Sequence, residues 1–122
     1  MIKGIGIDII EIERITNAID KNEKILQRIF THRETDYFMK IGYSVNTIAG
    51  NFAAKEAVMK ALGTGLRNFK WTDIEIYRND LGKPFVMLYN NAKDIATQKE
   101  IQEVLITISH SKNYAVAQAL AI

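Results

Sequence analysis

Ile48-Ala49-Gly50-Asn51-Phe52-Ala53-Ala54-Lys55-Glu56-Ala57-Val58-Met59-Lys60-Ala61-Leu62-Gly63 is the stretch from which the fold is read. It reads as the longest helix of the chain. Ser44 or Asn46 stands upstream to cap it, and Gly63-Thr64-Gly65 stops it. Stepped at 100° per residue, Ile48, Phe52, Met59 and Leu62 fall within about 40° of one direction, the predicted core stripe. Lys55 lies inside that stripe and is read as a snorkelling side chain. A second stripe carries Ala49, Ala53, Glu56, Lys60 and Gly63. Its small residues let another object come close, and its acid and base are one turn apart.

Residues 2–10, near the N-terminus, are β-branched and partly alternating, which predicts a strand. Ile5, Ile7 and Ile9 form one face; Gly4, Gly6 and Asp8 form the other, read as open space beside an acid. Glu11 to Phe30 reads as helix, with a break near Asp20–Asn22. Thr31-His32-Arg33-Glu34 has capping-box spacing and starts a further helix to Gly42. Beyond the long helix, residues 71–78 alternate as a strand. Asn79 to Pro84 is a turn and Phe85–Tyr89 the returning strand. Asn90 to Lys99 is a short helix. Val104–Ser109 and Tyr114–Leu120 are strands joined by His110-Ser111-Lys112-Asn113. The expected class is α+β, a mostly antiparallel sheet packed on one long helix, in a single domain over 1–122.

The 122 residues support one core without staples. The absence of cysteine excludes a disulfide framework, a thiolate zinc site and a cysteine nucleophile. A net charge of +2 is too balanced for a dedicated nucleic-acid binder. No apolar run reaches the roughly 18 residues that cross a bilayer. A cytoplasmic location is the expectation, with no membrane or nucleic-acid partner.

The glycines form neither a dinucleotide fingerprint, since position 9 is Ile, nor a Walker loop around Gly82-Lys83. Gly82-Lys83-Pro84 reads as a hairpin turn, and His110 with Ser111 as a polar turn. Glu56–Lys60 reads either as a surface pair or, together with Asp8, as chemistry. Two carboxylates can share a Mg²⁺ ion whose shell is completed by water and substrate phosphates, with Lys60 neutralising phosphate charge.

Gly4-Ile5-Gly6-Ile7-Asp8-Ile9, Arg14, the block Phe52-Ala53-Ala54-Lys55-Glu56-Ala57 with Lys60 and Gly63, Gly82-Lys83-Pro84, and Ile108-Ser109-His110-Ser111-Lys112 with Tyr114-Ala115 resemble the signatures of the bacterial holo-acyl-carrier-protein synthases, the small class of 4'-phosphopantetheinyl transferases. The resemblance covers essentially the whole chain. It implies transfer of the 4'-phosphopantetheine arm of coenzyme A to a serine of apo acyl carrier protein, with release of adenosine 3',5'-bisphosphate. It further implies Mg²⁺ held by Asp8 and Glu56, and Lys60 on the pyrophosphate. Gly63, Thr64, Gly82, Lys83, Pro84, His110 and Ser111 fall where the family contacts the nucleotide end. Asn51 stands where many members carry Arg, with Lys40 or Lys112 as replacement cations. Two other readings of the residues are a non-catalytic coenzyme-A-binding module and a metal-dependent pyrophosphohydrolase.

Two surfaces are assigned to partners. Arg14, Lys21, Lys24 and Arg28 would share about 80° of one continuous helix, suiting the acidic carrier protein or simply water; the resemblance places Arg14 at the carrier protein. Residues 114–122 are apolar on both faces: Ala115, Ala117, Ala119 and Ala121 on one, Tyr114, Val116, Gln118, Leu120 and Ile122 on the other. A strand apolar on both faces is covered on both. Either Gln118 pairs with backbone in an internal strand, or copies of it meet at a symmetry axis. The resemblance implies a homotrimer with coenzyme A between subunits.

Overall fold

Antiparallel pairing joins strands from the two ends of the chain. The computed structural model describes residues 1–65 and 69–122. Strand β1 (Gly4–Glu11) leads into helices α1 (Ile12–Lys21), α2 (Lys24–Ile29), α3 (His32–Lys40) and α4 (Val45–Leu62). Strands β2 (Ile74–Arg78) and β3 (Pro84–Leu88) follow, then α5 (Asn90–Gln98), β4 (Val104–His110) and β5 (Tyr114–Ala121). The sheet predicted as one unit is two: β1-β5-β4 and the hairpin β2-β3, every pair antiparallel.

Local chemistry sets most boundaries. The break after α1 falls at Asn22–Glu23, as the sequence suggests. The capping box at α3 forms: Glu34 N–H donates to Thr31 Oγ1 at 3.2 Å, and Thr31 N–H to Glu34 Oε1 at 2.9 Å. Ser44 occupies the N-cap of α4 without a side-chain cap bond, and Gly63 ends it at φ 79°, a conformation natural to glycine. The strand expected from residue 71 starts at Ile74. Trp71–Asp73 instead makes one 3-10 turn, held by Lys70 N–H donating to Asp73 Oδ2 at 3.0 Å.

Helix α4, 18 residues long, lies between the two sheets. The single core stripe is therefore corrected: α4 is buried around most of its circumference, Asn51 and Lys55 included, while Phe52 is only half-buried. Lys55 does not snorkel; its side chain is 0% exposed. The space read beside Gly4 and Gly6 is also corrected, because α4 backbone fills it. A Cβ at Gly4 would sit 2.1 Å from Ala61 O, and one at Gly6 2.0 Å from Ala57 O. The glycines let helix and strand touch backbone to backbone. The fully buried faces of Ala115, Ala117, Ala119 and Ala121 do the same on β5. Among the described residues, no helix is long and apolar enough to cross a membrane.

Candidate active site

The contact between β1 and α4 brings the sequence-predicted chemistry together. Alternation along β1 puts Asp8 on the glycine face, toward α4. Lys60 Nζ donates to Ile7 O at 2.8 Å and lies 3.3 Å from Asp8 Oδ1. One turn earlier on the helix, Glu56 comes close enough to Asp8 for the two carboxyl groups to share a proton. Burial first, then the charge of Asp8, pushes Glu56 up to about 7; Lys60 and Arg14 oppose that shift. Arg14, exposed on the first turn of α1, is thus within electrostatic reach of the pair.

Two carboxylates on a partly exposed surface suit a hard divalent cation, and the Lys60 ammonium beside them suits an anionic group. The charge of Asp8 raises the proton affinity of Glu56, and Mg²⁺ is commonly bound by one or two carboxylates plus water and phosphate. Among the described residues no group of three or more His, Cys, Asp or Glu forms a metal cage, so water and substrate oxygens would complete the shell.

The remaining predicted residues separate into two groups. Gly63 and Thr64 follow directly on the α4 end that carries Lys60, with Thr64 Oγ1 donating to Gly65 O at 3.1 Å. Lys99 Nζ, unforeseen in the sequence, donates to Leu62 O at 2.5 Å and satisfies a helix-end carbonyl. The other group lies level with the first half of α4. Gly82, at φ 84°, and Lys83 form a turn organised by Asn79, whose Oδ1 accepts from Leu81 N–H and Lys83 N–H at 3.0 and 2.9 Å. Pro84 pairs with Arg78, and Arg78 reaches Asn51. His110 and Ser111 lie beyond Ile108, which packs on Gly50. Position 51 and position 60 are about 13 Å apart along a helix rising 1.5 Å per residue. One copy of the chain therefore spreads the predicted nucleotide contacts over two ends of α4.

Asn51 is fully buried, and its Oδ1 accepts from Arg78 Nη1 at 2.8 Å. The cation beside position 51 is thus Arg78 of β2, rather than Lys40 or Lys112. Residue spacing gave no sign of it, because only the tertiary packing sets 78 against 51. Lys21, Lys24 and Arg28 are exposed. The break between α1 and α2 removes the continuous helix on which they would have shared a face with Arg14.

A family described as the 4'-phosphopantetheinyl transferase superfamily matches residues 4–119. The chain is 60% identical, over 100% of both sequences, to a protein of Alkaliphilus oremlandii named holo-[acyl-carrier-protein] synthase. Its fold is similar to the holo-[acyl-carrier-protein] synthase of Neisseria meningitidis, with a TM-score of 0.91 and 35% identity over 100% of this chain and 99% of that one. It is also similar to the Helicobacter pylori holo-[acyl-carrier-protein] synthase solved in complex with coenzyme A (TM-score 0.85, 31% identity, 97% and 99% covered). The chain belongs to the 4'-phosphopantetheinyl transferase superfamily and, within it, to the holo-[acyl-carrier-protein] synthases. It is an enzyme of that transferase class.

Proposed function

We propose that the chain, as one catalytic domain over 1–122, moves the 4'-phosphopantetheine arm of coenzyme A onto a serine of apo acyl carrier protein. The convergence of Asp8, Glu56 and Lys60 where α4 presses on β1 carries this reading. The Helicobacter pylori relative in complex with coenzyme A supports the substrate. In the step proposed, the serine Oγ forms a bond to the phosphorus bearing the pantetheine. The bridging P–O bond breaks, adenosine 3',5'-bisphosphate leaves, and the serine proton passes to Glu56 directly or through a water. Such a transfer needs positioning and charge neutralisation rather than a protein nucleophile.

Asp8 and Glu56 are the residues to hold Mg²⁺, which when bound neutralises charge on the pyrophosphate oxygens. Lys60, fixed by Ile7 O, adds a second positive charge there. Arg14 meets the acidic carrier protein beside the carboxylates, with Lys21, Lys24 and Arg28 steering it at longer range. Gly63 and Thr64 contact coenzyme A from one side. Gly82, Lys83, Pro84, His110 and Ser111 belong to its nucleotide end.

The separation of those groups in one chain favours a site completed by a second copy. The sheet face away from α4 fits this. It is a lattice of three cross-strand rows: Ile5–Leu120–Leu105, Ile7–Gln118–Thr107 and Ile9–Val116–Ser109. Ile5, Ile7 and Ile9 are 64%, 60% and 63% exposed. Gln118 is exposed at its centre, so the reading of Gln118 as buried inside one subunit is dropped. We assign this face to a homotrimer, acting in the cytoplasm.

Mass spectrometry of apo carrier protein incubated with coenzyme A and Mg²⁺ tests the activity. A gain of one phosphopantetheine is expected, abolished by Asp8→Asn and by Glu56→Gln. Hydrolysis of coenzyme A without a gain on the carrier protein would overturn the transferase reading, and near-normal turnover of either variant would overturn the shared metal site.

A further inference from the structure

Lys55 and Glu34 form the most deeply buried polar contact in the described residues, and the proposed mechanism uses neither. Both side chains are 0% exposed, with Lys55 Nζ 2.7 Å from Glu34 Oε1. The ammonium also donates to Ile29 O at 2.9 Å, Trp71 O at 3.1 Å and Ile74 O at 2.5 Å, and lies 5.4 Å from the Phe30 ring centroid. Glu34 has further partners: it accepts from Thr31 N–H and, through Oε2, from Ile76 N–H at 3.0 Å. One ion pair therefore touches the end of α2, the start of α3, the 3-10 turn and β2, from a residue adjacent to Glu56.

Stability does not explain such a pair. Desolvation of two charges roughly cancels their attraction, and well-packed apolar residues serve as well. What an apolar pair lacks is direction. An ammonium held by four fixed oxygens admits one position and one rotation of α4. On the opposite side, Gly4 and Gly6 press the same helix against β1 but present only smooth backbone, along which a helix can slide or turn. Carboxylate and ammonium fix that freedom.

We infer that the Lys55–Glu34 pair is a positioning device for the transferase site, setting the register and rotation of α4 so that Glu56 and Lys60 meet Asp8. This rests on the reading of Asp8 and Glu56 as the catalytic carboxylates. In the proposed mechanism neither Lys55 nor Glu34 touches substrate, so their loss acts through turnover.

Two variants test it. Lys55→Met with Glu34→Gln removes both charges and keeps an acceptor for Thr31 N–H or Ile76 N–H. Glu34→Asp keeps both charges but shortens one arm by a methylene. For each, circular dichroism checks folding, and kcat and the KM for coenzyme A are measured well below the melting temperature. The expected result is a loss of kcat of about tenfold or more, since small displacements of reacting groups are costly, with the KM within about twofold. A general loosening of the fold would instead raise KM and lower the melting temperature in step. If Glu56→Gln is inactive while either folded pair variant keeps kcat within twofold, the positioning inference falls alone. If Glu56→Gln keeps its turnover, the active-site reading falls and the inference with it. Should the double variant not fold, Glu34→Asp decides.

Discussion

Replacing Gly6 by Ala tests the contact on which the site depends. The added Cβ would lie 2.0 Å from Ala57 O, 2.8 Å from Ala61 N and 2.9 Å from Lys60 Cβ. Two of these are helix backbone, so rotation of a side chain cannot relieve the clash. Real Cβ contacts are essentially absent below 3.0 Å, so α4 retreats from β1 by about 1 Å. Overpacking of this kind costs about 1–3 kcal/mol, or a drop in Tm of roughly 4–12 °C for a chain of this length. The chemical effect is larger. The same retreat stretches the Lys60 contacts to Ile7 O and Asp8 Oδ1, now 2.8 and 3.3 Å, beyond hydrogen-bond reach. A misplacement near 1 Å costs about a hundredfold in rate. The assay is phosphopantetheine transfer to apo carrier protein followed by mass, alongside a thermal melt. Gly50→Ala is the control, because its Cβ meets only Ile108 Cγ2 at 2.8 Å, a side-chain end that can rotate away; its turnover should stay within about threefold. Gly6→Ala with unchanged Tm and turnover would refute the close-contact argument.

Three further outcomes are expected. Glu56 is held near 7 in the folded chain against 4.5 ordinarily, so the folded state binds its proton more tightly than the unfolded one; that contribution is complete below about 4.5 and lost as pH rises through 7. Metal-free protein should melt at lower temperature at pH 8 than at pH 5, Mg²⁺ should reduce the difference, and a flat profile without metal would count against the coupled carboxylates. Glu100, after the end of α5, is held at φ 58°, which strains a residue with a Cβ; Glu100→Gly should raise stability by about 0.5–1 kcal/mol in urea unfolding, its exposed 4.0 Å pair with Lys3 contributing little. Gln118→Glu places like charges where copies of the sheet face meet, so light scattering should show subunits in place of a trimer and activity should fall with it; an intact trimer, or an active monomer of the unaltered protein, sinks the assembly.

Much of the fold lies in local chemistry and is legible without coordinates. Thr31 and Glu34 specify the start of α3, Gly63 the end of α4, and alternation along 4–11 and 114–121 decides which side chains face the helix. These depend on neighbours within four or five positions, which is the range over which helical and strand periodicity act. Asp8, Glu56 and Lys60 stand out in the sequence as candidates because each borders small residues and falls in a block that resembles a known family, and the fold brings Asp8 and Lys60 to 3.3 Å. Tertiary packing decided the rest. Nothing within a few residues of Lys55 shows that Glu34 and three carbonyls surround it, so a lysine in an apolar stripe looks like a snorkelling one. Gly4 and Gly6 look like open space until α4 is laid on them. Arg78 meets Asn51 only because the β2-β3 hairpin folds back over that helix. The division of the predicted nucleotide contacts between the two ends of α4 is likewise a property of the packed molecule. Burial, and the partner that makes burial tolerable, are fixed by contacts between residues distant in the chain, and a pattern of neighbours carries no record of them.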